Sequence, residues 1–177
     1  MTVLARTSAT IRDAAVADAA ELARIYNHYI VNTLVTFEET AIEAGVMAAR
    51  VAEVREARLP WLVAAAPAGI DGFAHASRWK GRCAYRHSVE VTAYLDPGAI
   101  GRGLGSALYE VLFARLRDSG CHVIIGGIAL PNPASVALHE KFGLRKAAQF
   151  SEIGRKFGRW IDVGYWQLTL PETGLTS

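Results

Sequence analysis

The stretch Ile100-Gly101-Arg102-Gly103-Leu104-Gly105-Ser106 stands between a run that alternates like a strand and a run that repeats like a helix. Glycine at every second position strips the turn of side-chain bulk, so backbone amides can converge on an anion. The helix that begins there adds the partial positive charge of its N-terminus. A strand, a glycine turn and a helix in this order require a sheet with at least one helix packed on it, and the turn itself suits a phosphate.

The rest of the chain has to supply that sheet from one core. Its 177 residues, 51% of them hydrophobic, contain no Ser/Pro/Gly-rich linker and no compositional break, which predicts a single domain over 1–177 with frayed ends at about 1–8 and 171–177. No opening apolar block reads as a signal peptide and no stretch is long enough to span a bilayer, so the expected compartment is the cytoplasm, away from membranes. Cys83 and Cys121 are too few for a disulfide framework, and no metal-ligand spacing occurs. The net charge of +2 is spread along the chain, which argues against nucleic acid and for a small-molecule partner.

Taken in order, Thr10–Arg12 reads as a short strand, and Asp18 opens a helix whose Leu22, Ile25, Tyr26, Tyr29 and Ile30 share a face. A loop over Asn32–Thr40 follows, in which Thr36-Phe37-Glu38 can line a pocket. A second helix spans Ile42 to Ala57, with Val46, Ala49, Val51 and Val54 as its apolar stripe. Trp61–Ala66 and Ile70–Arg78 read as an antiparallel pair about the turn Pro67-Ala68-Gly69. A long strand from about Ala84 to Leu95 then puts Val89, Val91, Ala93 and Leu95 on one face, and Arg86, Ser88, Glu90, Thr92 and Tyr94 on the other. Beyond the glycine turn, Leu104, Leu108, Val111, Leu112 and Leu116 mark a helix closed by Ser119-Gly120. Val123–Ala129 is an apolar strand, and a helix from Pro131-Asn132-Pro133 ends at Gly143. Strands over Leu144–Ile153 and Val163–Leu170 flank the turn Arg155–Arg159. The sum is an α/β or α+β fold with a central mixed sheet.

Two common phosphate loops do not fit the turn. A P-loop needs Gly-Lys-Ser/Thr, whereas Gly105 is followed by Ser106 and Ala107. A dinucleotide loop needs an acidic residue closing the next strand, and Val123–Ala129 ends without one.

The loop Ile100-Gly101-Arg102-Gly103-Leu104-Gly105 instead resembles the Gln/Arg-x-x-Gly-x-Gly/Ala signature of the GNAT superfamily of N-acetyltransferases, with Ile100 in place of the usual Gln or Arg. Seven further segments resemble the phosphinothricin and methionine sulfoximine N-acetyltransferase branch: Thr36-Phe37-Glu38, Pro60-Trp61-Leu62-Val63, Trp79-Lys80-x-Arg82-x-Ala84-Tyr85, Val89-Glu90, Leu130-Pro131-Asn132, Ser135-Val136-x-Leu138-His139-Glu140 and Trp160-x-Asp162-Val163-Gly164-Tyr165-Trp166-Gln167. The resemblance implies a GNAT fold with a mostly antiparallel sheet flanked by helices, acetyl-CoA as co-substrate, no metal, a small-molecule amine acceptor and a homodimer.

It also implies roles. Glu90, on the polar face of the strand that feeds the loop, matches the family's glutamate and is the expected general base; otherwise it is an exposed strand residue or half of an ion pair. His139 occupies the place where the wider superfamily has a tyrosine taken as the acid that protonates the leaving thiolate; a lone helix histidine is otherwise structural. Gly101, Arg102, Gly103, Leu104, Gly105 and Ser106 would hold the pyrophosphate. The backbone of Ala93, Tyr94 and Leu95 would pair with the pantetheine arm, Asn132 would bond its amides, and Lys141 would reach a phosphate. For the acceptor, Lys80, Gly81 and Arg82 would take its acidic group. Glu90, Val91 and Thr92 would face its amine, and Phe37, with Tyr85, would supply apolar walls. The expected chemistry is direct transfer to the α-amino group of a small acidic amino-acid analogue. The alternatives are a protein N-terminus or another amine as acceptor, or a non-catalytic module that senses acyl-CoA.

Overall fold

In strand β2 (Trp61–Ala66) successive side chains leave the sheet on opposite sides. Leu62 and Ala64 are buried in one hydrophobic cluster, Trp61 and Val63 in the other. Both faces are therefore covered, which is why β2 reads as a continuous apolar run rather than an alternating one. The protein is described here by a computed structural model covering residues 9–171; all but Pro171 of the ends expected to fray lies outside the described residues.

The sheet has seven strands in the order β1-β2-β3-β4-β5-β7-β6, with β1 at Thr10–Asp13, β3 at Gly69–Arg78, β4 at Ser88–Leu95, β5 at Val123–Leu130, β6 at Arg145–Lys156 and β7 at Arg159–Thr169. Every neighbouring pair is antiparallel except β4 with β5. Helices α1 (Ala19–Asn32) and α2 (Ala44–Glu56) cover one face, while α3 (Leu104–Asp118) and α4 (Pro133–Lys141) lie on the other. Fully buried Leu108, Leu112 and Leu116 press α3 onto Ala74 and Ala76 of β3. Each such leucine contributes about 1.5–3 kcal/mol of apolar burial, and the small alanines opposite allow the close approach. No helix among the described residues is long and apolar enough to cross a membrane.

The mixed, mostly antiparallel sheet and the order of elements agree with the sequence reading; three local expectations do not. The long strand starts at Ser88 rather than Ala84, because Cys83–Tyr85 form a single 3-10 turn. On α2 the buried side chains are Met47, Val51 and Val54, while Val46 and Ala49 are exposed. Met47 lies four residues before Val51 and shares its face; Val46 lies five before it and does not. The β6–β7 connection is two residues, Phe157-Gly158, so both strands are longer than the spans Leu144–Ile153 and Val163–Leu170. At the other end of the order, β6 is an edge strand exposed along nearly its whole length.

Candidate active site

Two strands that begin as neighbours part company in the middle of the sheet. Parallel pairing of β4 with β5 stops after Glu90 opposite Ile125. Yet β4 stays paired with β3 as far as Leu95, and β5 with β7 as far as Leu130. Between Val91–Leu95 and the far half of β5 the sheet is split, leaving two strand edges whose backbone groups are not satisfied by each other. A cleft of about 640 Å³ opens there, walled by these strands and by Asn132, Ser135, Leu138 and His139 of the α4 segment. A second cleft, of about 800 Å³, lies on the α1/α2 side, among Tyr26, Glu38, Arg50, Trp61, Arg78 and Tyr94.

Glu90 sits at the fork and lines both. The β3–β4 register runs unbroken from Gly72 opposite Leu95 to Arg78 opposite Val89, so no bulge disturbs the alternation that points Glu90, Thr92 and Tyr94 away from the α3 core. The backbone of Gly127 on β5 lies against the Glu90 carboxylate. A Cβ at Gly127 would lie 2.7 Å from Oε1, so only glycine lets the carboxylate settle there. Burial pushes the Glu90 carboxyl above its ordinary value; the positive charge of Lys80 and the Gly127 amide pull in the other direction without cancelling it.

His139 faces the first cleft from α4 and is 5% exposed. Its Nδ1 lies 2.7 Å from the Ser135 carbonyl, and its Nε2 lies 3.1 Å from the Tyr109 hydroxyl. A ring nitrogen against a carbonyl must carry the proton, so Nδ1–H donates and Nε2 accepts from the fully buried Tyr109. Burial also lowers the His139 pKa, keeping the ring neutral. The ring packs on Gly126, where a Cβ would overlap it. Asn132 caps α4, its Oδ1 accepting from the Ser135 amide at 3.1 Å; its side-chain NH2 is left to donate elsewhere.

The glycine loop is shaped by two left-handed residues, Gly101 at φ 82° and Gly103 at φ 80°, the latter being the N-cap of α3. A side chain at either position would strain the turn. Lys141 reaches across from α4 and donates from Nζ to Ser106 Oγ at 2.8 Å, placing an ammonium over the first turn of α3. Arg102 lies 3.8 Å from Asp71. Ile100, 60% exposed, forms an apolar lip of the first cleft, and Gly105 lies in its floor against Leu138. A split strand pair leading to an amide-rich helix start with a lysine beside it can hold an extended ligand ending in phosphates.

Known proteins share this arrangement over almost the whole chain. The family model for the acetyltransferase (GNAT) domain matches residues 11–164. The chain belongs to the GNAT acetyltransferases. This GNAT domain is 37% identical to a phosphinothricin N-acetyltransferase of Streptomyces coelicolor over 86% of the chain and 91% of that protein. It is 36% identical to an L-methionine sulfoximine/L-methionine sulfone acetyltransferase of Pseudomonas paraeruginosa, over 94% and 97%. A crystal structure of a GNAT superfamily phosphinothricin acetyltransferase from Sinorhizobium meliloti, in complex with acetyl-CoA, matches with TM-score 0.90 and 36% identity, covering 96% of this chain and 92% of that one.

Within the GNAT domain nine of the residues expected at the site converge: Glu90, Val91, Thr92, Ala93, Tyr94, Leu95, Gly105, Asn132 and His139 all line the first cleft, while Gly101, Arg102, Gly103, Leu104, Ser106 and Lys141 stand outside its walls at the start of α3. Lys80, Gly81 and Arg82 form an exposed loop outside the walls of both clefts, with Lys80 Nζ 4.8 Å from the centre of the Trp79 ring. Phe37 is also outside them, lying instead on Gly154 of β6. Two participants escaped the sequence reading. Tyr109 passes for one more core residue of α3, because only the α3–α4 packing brings it to His139. Arg50 reads as one more solvated charge of α2, yet it pairs at 2.7 Å with Glu38, whose segment the sequence does mark as pocket-lining, and with it walls the second cleft.

Proposed function

We propose that this GNAT domain transfers the acetyl group of acetyl-CoA to the α-amino group of a small acidic amino-acid analogue of the phosphinothricin, methionine sulfoximine or methionine sulfone type. The observation that carries the proposal is Glu90, the one carboxylate among the described residues that lines both clefts. Donor and acceptor approaching from opposite sides of the split would meet at it. The names of the relatives supply the substrate class.

Acetyl-CoA, when bound, supplies a thioester carbonyl. The free edges of β4 and β5 suit its extended pantetheine arm, the Asn132 NH2 its amides, and residues 101–106 with Lys141 its phosphates. Glu90 takes a proton from the acceptor amine; a carbon–nitrogen bond forms as the carbon–sulfur bond breaks, and the thiolate, of pKa near about 8.5, takes its proton from water. His139 is then a positioning residue and not the acid that its place in the family suggests: a neutral ring donating to a carbonyl and accepting from Tyr109 has no proton to give at Nε2. Lys80 and Arg82, in the exposed loop before β4 outside the cleft walls, take the acidic group of the acceptor only where it projects from the cleft, with Lys80 close enough for its charge to act on Glu90. Transfer is direct. Burial pushes the Cys121 thiol up to about 11, and Cys83 is exposed outside the clefts. Both free thiols suit a reducing cytoplasm.

Thiol release from acetyl-CoA, measured with methionine sulfoximine, phosphinothricin, methionine sulfone and a peptide N-terminus, tests the reading. The three analogues are expected to turn over with higher kcat/KM than the peptide. A preference for the peptide reassigns the acceptor, and tight CoA binding without turnover of any amine leaves an acyl-CoA sensor.

A further inference from the structure

Among the described residues, tyrosine and tryptophan apart, the buried polar side chains are Thr36, His139 and Lys156. His139 belongs to the first cleft; the other two meet each other. Lys156, 1% exposed at the end of β6, donates from Nζ to the Thr36 carbonyl at 2.7 Å across 120 residues of sequence. Burying an ammonium is costly, and a methionine would fill the same space without that cost. What the ammonium adds is the grip on the loop between α1 and α2.

That loop is a wall shared by both clefts. Val35 and Thr36 line the first, Glu38 the second. From α1, Tyr26 meets Thr36 Oγ1 at 2.8 Å and donates to Glu38 at 2.9 Å, and from α2 Arg50 holds the same carboxylate. The hairpin provides the third side. Besides the Lys156 bond, Phe37 lies on Gly154, where a Cβ would press into the ring. No bond from the hairpin to the loop other than the lysine's engages the backbone of the Thr36-Phe37-Glu38 segment among the hydrogen bonds of the described residues.

We propose that Lys156 is a positioning residue for the acceptor amine: held against the Thr36 carbonyl, it fixes the loop that walls the acceptor cleft beside Glu90. The proposal rests on the reading of that cleft as the amine's. Lys156 touches neither ligand. Without it the loop samples positions in which the wall is not formed, and the apparent affinity for the amine falls by the fraction of molecules left competent. Val35 and Thr36 also edge the donor's cleft, but the phosphates of acetyl-CoA meet residues 101–106 and Lys141 and its pantetheine arm the β4 and β5 edges, none of which Lys156 holds, so the donor keeps most of its anchoring.

Lys156→Met is expected to raise KM for the amine by about tenfold or more, with kcat at saturation and KM for acetyl-CoA each within about twofold. Amide exchange over Val35–Glu38 is expected to speed up, and Lys156→Arg, which keeps a donor, to restore part of both effects. Equal rises in the two KM values, or a lowered Tm with unchanged amine KM, overturn the proposal. Should Lys156→Met fail to fold, Gly154→Ala displaces Phe37 at the same joint and is expected to show the same split in KM. Exchange is read without turnover: unchanged protection over Val35–Glu38 overturns the clamp, whereas a wild-type enzyme silent toward every amine overturns the proposed function with the clamp intact.

Discussion

Glu90 shows how much a single residue owes to its neighbours. Alternation along β4 is enough to put it on the polar face, and Val89 and Val91 on the buried one, as the structure has them. Its proton affinity is a different matter, since burial, Lys80 and the Gly127 amide all act on it from other segments. Because the raised pKa belongs to the group that must be deprotonated to act, kcat/KM is expected to fall as pH drops through a value above the ordinary glutamate range of about 4.3. Glu90→Gln should remove this limb and lower kcat by about 10²-fold or more. A pH–rate profile of both enzymes checks it; wild-type kcat/KM in the variant from neutral to mildly alkaline pH sinks the assignment. The same profile bears on His139, whose neutral, doubly bonded ring predicts no limb of its own near pH 6.5.

At the scale of elements, the glycine loop with α3 is the unit most plainly written in the sequence. Its glycines, the leucine stripe and the closing Ser119-Gly120 are local signals, and the helix lies where they put it. Gly103 as the left-handed N-cap ties conformation to binding: Gly103→Ala is expected to cost about 1–2 kcal/mol in strain and to turn amides away from the phosphates. Steady-state kinetics should show KM for acetyl-CoA raised by about fivefold or more with KM for the amine nearly unchanged; equal changes in both would contradict the loop's role. Elements without strong local signals lie elsewhere than their composition suggests. Cys83–Tyr85 has strand-like composition but curls into a turn, and the α2 stripe was displaced by one residue because alanine and valine populate both sides of that helix.

At the scale of the whole molecule, an apolar surface of the described residues is left without a counterpart. On the β6–β7 hairpin Phe150, Ile153, Phe157 and Trp160 are each about half exposed or more, along an edge strand that natural proteins rarely leave bare. This supports the homodimer that the family resemblance implies. Light scattering is expected to give the mass of two chains, and Phe157→Glu with Trp160→Glu to give one; a monomeric wild type refutes it. Because the same hairpin carries Lys156, loss of the dimer should also weaken amine binding.

Period-two and period-3.6 patterns, the spaced glycines of the loop and the motif series were enough for the mixed sheet, its flanking helices and the place of Glu90 on the polar face of β4. They act over a few residues, and so can be read along the chain. The split between β4 and β5, the neutral state of His139, the exposed position of Lys80 and Arg82, and the grip of Lys156 on Thr36 arise from contacts between segments as far as 120 residues apart. Such contacts depend on which surfaces the folded core brings together, and no local periodicity encodes that.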